Sequence, residues 1–255
     1  MSKNSGNFGK LVKNYKIIRP SYPVKVIKDI YSFVKTPKPV ILDLGCGTGI
    51  STRQMAKKNS VVFGCDIDEK MLAHASLDKN NITYVKGRAE KLPFPNETFS
   101  LVTMFASFHW FANKRALNEL RRVLKPKGII CIIQPRQTSP FRHDRTDIIN
   151  RVLGIKIKTK YSQRKFEDVL GQNDFKIIEN RIYKTVNKYT LEQFIKLSQT
   201  YSIWNDVPTS KRRQILKLFK NHFTTILKNG FINDTADLNL ICARNVACKT
   251  DLKSK

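Results

Sequence analysis

The chain predicts a doubly wound α/β fold, and three observations carry that prediction. The apolar run Val40-Ile41-Leu42 reads as a strand buried on both faces, and glycines follow at alternate positions, Gly45, Gly47 and Gly49. Glycines spaced this way let the backbone turn tightly and approach a ligand where a Cβ would stand in the way. A second apolar run, Val61 to Cys65, ends on Asp66, 21 residues beyond Gly45. Further along, five such runs alternate with helical patterns, as βαβ units do in a parallel sheet. In such sheets ligands sit beside strand C-termini.

Taken in order, residues 1–8 read as a disordered tail. Pro20 and Pro23 exclude a helix through 19–23. Val24 to Val34 places Ile27, Ile30, Tyr31 and Val34 on one helical face, and Thr36-Pro37-Lys38-Pro39 stops it. After the glycine turn, Ser51 to Lys58 is a short helix. Val61 to Asp66 is the second strand, and Asp66 or Asp68 caps a helix over Glu69–Ser76. Ile82 to Val85 is the third strand. Phe99 to Ala106 is the fourth, running straight into Ser107-Phe108-His109-Trp110-Phe111. An amphipathic helix over Ala112–Leu124 has Leu117, Leu120 and Leu124 on one side. Lys125 to Gly128 then turns into a fifth strand, Ile129 to Ile133. Residues 135–163 carry Arg136, Arg142, His143, Arg145 and Arg151 with little apolar periodicity and read as an insertion over the site. The remainder reads as a helix from Arg164 to Leu170, a strand from Phe175 to Tyr183 and a helix capped by Thr190. A longer helix capped by Ser210 then runs to Leu227, and a last strand spans Leu238 to Val246.

A length of 255 residues suits one α/β domain with an elaboration. No window approaches the roughly 20 apolar residues of a membrane span. The N-terminus has no apolar stretch of a secretory signal, so a cytoplasmic location and no membrane partner are expected. Five cysteines are odd in number and form no Cys-x-x-Cys pair. Cys65 and Cys131 lie in apolar runs and read as buried free thiols, and no spacing suits a metal. The net charge of +27 is spread evenly: residues 1–135 hold 23 Lys and Arg against 9 Asp and Glu, and residues 136–255 hold 24 against 11. Such a field steers anionic ligands without singling out nucleic acid.

The turn itself narrows the ligand. A dinucleotide fingerprint needs Gly-x-Gly-x-x-Gly, which is absent here, so NAD or a purely structural turn is the weaker reading. Asp43 inside the turn is poorly placed beside a diphosphate and well placed beside a cation. S-adenosylmethionine (SAM) has no phosphate and carries a sulfonium and an ammonium. The run Asp43-Leu44-Gly45-Cys46-Gly47-Thr48-Gly49 resembles motif I of the class I SAM-dependent methyltransferases. The resemblance, of the methyltransferase type 11 kind, is good from about residue 9 to 135 and thin afterwards.

That resemblance implies a Rossmann-like seven-stranded sheet of order 3-2-1-4-5-7-6 with the seventh strand antiparallel. It implies one domain over 9–255: a cap at 9–36, a SAM-binding core at 37–135, a lid or substrate elaboration at 136–235 and a last strand at 236–247. It implies cofactor contacts from Asp43, Gly45, Cys46, Gly47 and Gly49. Asp66 would take the ribose hydroxyls and Ile67 the adenine face, with Met71 and Phe105 nearby. The segment Gly87-Arg88-Ala89-Glu90-Lys91-Leu92-Pro93-Phe94 resembles the part that reads the adenine edge, through Ala89 and Glu90, although Arg88 stands where Asp is frequent. Tyr15-x-x-x-Arg19-Pro-x-Tyr22-Pro resembles the N-terminal segment that folds over SAM. Phe108-His109-Trp110-Phe111 resembles the fourth motif of the trans-aconitate methyltransferase type. Tyr22, His109, Trp110, Arg136 and Arg142 are then substrate-side residues. His109 is either a neutral core histidine, a substrate contact or a general base.

Methyl transfer from a sulfonium is a direct displacement, so the protein chiefly aligns the nucleophile and excludes water. A carboxylate acceptor needs no base. The expected activity is therefore methylation of a small, anionic carboxylate held by arginines. Three other readings stay open: methylation of an acyl group on an acidic carrier protein, RNA methylation, and a non-catalytic SAM-fold binding protein.

Overall fold

A computed structural model describes residues 18–57, 59–77, 82–155 and 166–246. Its seven strands are β1 (Val40–Leu44), β2 (Val61–Asp66), β3 (Ile82–Lys86), β4 (Phe99–Phe105), β5 (Leu124–Gln137), β6 (Phe175–Tyr189) and β7 (Ile232–Asn245), in the sheet order β3-β2-β1-β4-β5-β7-β6. β1 pairs in parallel with β2 and β4, β2 with β3, and β4 with β5. Cys131 is joined to Cys242, and further along the Thr138 N–H donates to the Thr235 carbonyl. One number rises as the other falls, so β7 runs antiparallel to β5.

The chain divides into two compact units. The first, a sheet unit, is made of residues 21–134, 162–183 and 238–255. Its strands are apolar on both faces, which is what a sheet covered on two sides requires. Side chains alternate in period two. Leu42, Val102, Ile130 and Ile132 therefore share one cluster with Leu117 and Leu120 of α4 (Lys114–Val123). Ile41, Leu101, Ile129 and Ile133 share another with Ile27 and Ile30 of α1 (Val24–Ser32). The unit also holds α2 (Ile50–Met55), α3 (Glu69–Ala75) and α6 (Phe166–Gly171).

The second, helical unit takes in residues 1–20, 135–161 and 184–237. α5 (Phe141–Leu153), α7 (Leu191–Ser198) and α8 (Thr209–Thr224) carry a core of Ile149, Phe194, Trp204, Ile215, Phe219 and Phe223. Thr190 closes α7 with a capping box shared with Gln193.

Five expectations need correction. Residues 125–128 are not a turn before β5: β5 begins at Leu124, and its pairing skips from Phe99↔Leu124 to Leu101↔Ile129. The extra residues form a bulge in which Lys127 takes a φ of 63°. Residues 141–153 are a helix rather than an irregular insertion. Its buried face reads Phe141, Arg145, Ile148, Ile149, and the arginine within that stripe hides the helical period. The expected lid is also divided, since 166–183 belong to the sheet unit. Ser210 lies inside α8, which starts after Pro208 and has no side-chain cap. Cys131 is not a free thiol: it pairs with Cys242, a partner 111 residues away that no local pattern reveals. Tyr15, residues 1–8 and part of the arginine-rich segment lie outside the described residues.

Candidate functional site

The connection from β1 to α2 is built on three left-handed glycines, Gly45 (φ 73°), Gly47 (φ 53°) and Gly49 (φ 77°). Two of them are required by close neighbours. A Cβ on Gly45 would strike Ser107, whose hydroxyl donates to the Leu44 carbonyl at 2.7 Å, and one on Gly49 would strike the Tyr84 hydroxyl. Gly47 differs, because nothing lies within 4 Å of where its Cβ would stand. The N–H groups of Gly45 and Cys46 both donate to the Cys65 carbonyl, at 2.7 and 3.2 Å, which fixes the turn to the end of β2.

Asp43 sits beneath this turn with no exposed surface. Its Oδ2 accepts the hydroxyls of Ser51 and Thr52, both at 2.7 Å, and its Oδ1 accepts Thr103 at 3.1 Å. Burial pushes its pKa up to about 6, against the pull of those three hydroxyls. Asp43 is thus a buttress of the turn, with its carboxylate enclosed by three hydroxyls. Sequence reasoning missed Ser51, Thr52 and Thr103. Two adjacent hydroxyl residues in the first turn after a glycine loop were the available signal.

Asp66, at the tip of β2, is placed differently. Its Oδ2 accepts the Gly47 N–H at 2.8 Å and its Oδ1 the Asp68 N–H at 2.9 Å. Asp68, not Asp66, caps α3, accepting from Lys70 and Met71. The cap ambiguity is thus resolved, and Asp66 keeps lone pairs for other donors. Burial raises its pKa too, opposed by the two backbone N–H groups.

The structure brings Asp43, Gly45, Cys46, Gly47, Gly49 and Asp66 together around one turn. Cys46 is buried and its thiol is pushed well up by burial. Ile67 beside Asp66 is half exposed at 50%, whereas Met71 is buried on α3. Ala89 is buried, and Glu90 accepts the Asn113 amide at 3.1 Å. Phe105, at the end of β4, packs on the Tyr22 ring with centroids 4.6 Å apart, and Gln54 exchanges two hydrogen bonds with the Tyr22 backbone. His109 and Trp110 lie exposed on a single 3-10 turn, their rings 4.8 Å apart. Desolvation of the His109 ring lowers its pKa, against a hydrogen bond with Gln134 that raises it. In the helical unit, Arg19 donates to the Thr200 hydroxyl and carbonyl, both at 3.1 Å. Arg136 is exposed and Arg142 half-buried.

These residues fit S-adenosylmethionine. Two carboxylates penalised by burial are relieved by a cation and aggravated by a diphosphate. Gly47 leaves open space above the turn, and the buried Thr48 hydroxyl has no hydrogen-bond partner. Asp66 has acceptor capacity for a pair of hydroxyls. Among the described residues no cluster of His, Cys, Asp and Glu suits a metal, and no helix is long and apolar enough to cross a membrane.

Comparison with known proteins agrees with this geometry. Residues 42–132 match the model of the methyltransferase domain family. An uncharacterised methyltransferase of Schizosaccharomyces pombe is 26% identical over 210 residues, covering 80% of this chain and 82% of that protein. A demethylmenaquinone methyltransferase of Chlorobaculum tepidum is 38% identical over 100 residues, covering 38% of this chain and 41% of that protein. Among solved structures, one described as a candidate type II methyltransferase from Anaeromyxobacter dehalogenans shares the fold. It has a TM-score of 0.64 and 18% identity, covering 90% of this chain and 99% of that one.

Proposed function

The chain is a SAM-dependent methyltransferase, and from that premise we propose that its acceptor is a small anionic molecule methylated on a carboxylate oxygen. The observation that carries this reading is a rim poor in bases: among the described residues the segment after β4 offers His109 alone, exposed and hydrogen-bonded with Gln134. A carboxylate arrives already ionised and needs no base.

When bound, SAM supplies an electrophilic methyl group on its sulfonium. The chain's own tasks are then positional. Asp66 holds the ribose hydroxyls, and the open face at Gly47 admits the cofactor. Asp43 and Asp66 balance the positive charge. Ile67, Phe105, Tyr22 and Trp110 exclude water, with Met71, Ala89 and Glu90 completing the cofactor contacts. Arg19, Arg136 and Arg142 are the arginines proposed for the acceptor carboxylate, a role the assay below tests.

The test is an assay with methyl-labelled SAM over small mono- and dicarboxylic acids, an acyl-loaded acidic carrier protein and total RNA. Label is expected in base-labile esters of the acids. Transfer only to the carrier or only to RNA overturns the acceptor assignment. His109→Ala is expected to keep turnover within about tenfold, whereas a loss of about a hundredfold or more assigns His109 as base.

A further inference from the structure

Arg145 occupies a core position of α5 and is 3% exposed. A guanidinium stays charged at any ordinary pH, so a buried one calls for an anion. Among the described residues none forms an ion pair with it. Its Nη2 donates to the Gln137 side-chain oxygen at 2.6 Å. The Gln137 amide nitrogen donates in turn to both oxygens of Asp234 at 2.7 Å, and Ser139 donates to the same carboxylate. A neutral amide thus stands between the cation and the carboxylate. Nη1 of Arg145 has no hydrogen-bond partner at all.

The surroundings are built to hold an anion beside that nitrogen. The Arg145 guanidinium lies 4.5 Å from the Tyr201 ring centroid and 5.2 Å from that of Phe194. Arg19 lies 4.5 Å from the same Tyr201 ring and is fixed by Thr200, which is fully buried. Of the charges acting most strongly on Arg145, Arg19 and Arg142 oppose its cation, while Asp234 and Tyr201 favour it. Planar stacking orients the guanidinium edge, the geometry that carboxylate recognition uses.

We propose that Arg145 anchors an anion site inside the helical unit, receiving a carboxylate on Nη1 with Tyr201 stacked on the guanidinium and Arg19 alongside. The carboxylate belongs to a small organic acid. Identifying that acid with the methyl acceptor rests on the reading above, but the site itself stands on the unsatisfied guanidinium. Free phosphate offers similar oxygens and is the competing occupant.

The test is isothermal titration of the whole chain with succinate and, separately, inorganic phosphate, using wild type, Arg145→Gln and Arg145→Lys. The expected result is succinate binding that weakens about tenfold or more in both variants, with SAM affinity unchanged. Equal succinate binding by all three proteins, or none by wild type, overturns the proposal and assigns Nη1 to bound water. Phosphate binding in preference to succinate overturns the carboxylate assignment. If Arg145→Gln does not fold, the guanidinium resonances of wild type are followed by NMR, with Arg145→Lys identifying the Arg145 signal. That signal shifts with succinate if the site is real and stays fixed if it is not. Arg145-dependent binding of acids that are never methylated retains the site and removes the acceptor reading. Methylation of the acids that is indifferent to Arg145 keeps the acceptor reading and shows that the acceptor does not occupy this site.

Discussion

Asp43 in the sheet unit and Arg145 in the helical unit are both buried almost completely, and the two are treated in opposite ways. Asp43 in the sheet unit receives three hydroxyl donors. Arg145 in the helical unit receives one amide oxygen and leaves a nitrogen without a partner. Desolvation penalises both. A buried charge whose hydrogen bonds are complete holds structure together, whereas one left incomplete is poised for a ligand.

The sharpest way to break this comparison is to remove both charges and measure unfolding in urea. Asp43→Ala strands the hydroxyls of Ser51, Thr52 and Thr103 and is expected to cost about 3–5 kcal/mol. Arg145→Gln removes one hydrogen bond together with an uncompensated buried cation and is expected to cost about 1 kcal/mol or less. Equal losses would make Arg145 as structural as Asp43.

A pH series sharpens the first half of the contrast. The folded pKa of Asp43 is about 6, above the ordinary 3.8. Its stabilising contribution is therefore full below about pH 4 and lost as pH rises through 6. Relative to Asp43→Asn, the wild type should lose about 2 kcal/mol of stability between pH 4 and pH 7. A flat difference would mean that the three hydroxyls offset the burial entirely. SAM affinity should move the other way and rise through the same interval, because ionised carboxylates attract the cation.

Asp66 lies between the two extremes, with two backbone donors and open lone pairs. Asp66→Ala is expected to weaken SAM binding by about 10–100-fold in calorimetry, with a smaller effect on stability than Asp43→Ala. Unchanged affinity would remove Asp66 from the cofactor site.

What was legible in the sequence follows the range of the interactions involved. The glycine turn and Asp66 are short-range and visible in residues 40–66, and the alternation of apolar runs shows a parallel sheet, whereas the strand order followed only from the resemblance to the methyltransferase family. The orientation of Asp43 was not legible, because Thr103 approaches from a strand sixty positions away. α5 was obscured because a core arginine breaks the apolar stripe from which helices are read, and the same residue is the one left without a partner. Cys131 was misread because thiol pairing depends on which strands become neighbours, which the spacing of cysteines does not state.

The Cys131–Cys242 bond encloses everything from Ile132 to Ile241 in a covalent ring. A backbone nick anywhere in that span leaves both pieces tethered until a reductant opens the bond. New sequence grafted between those two cysteines would therefore enter a loop with both ends fastened, unlike an appended tail.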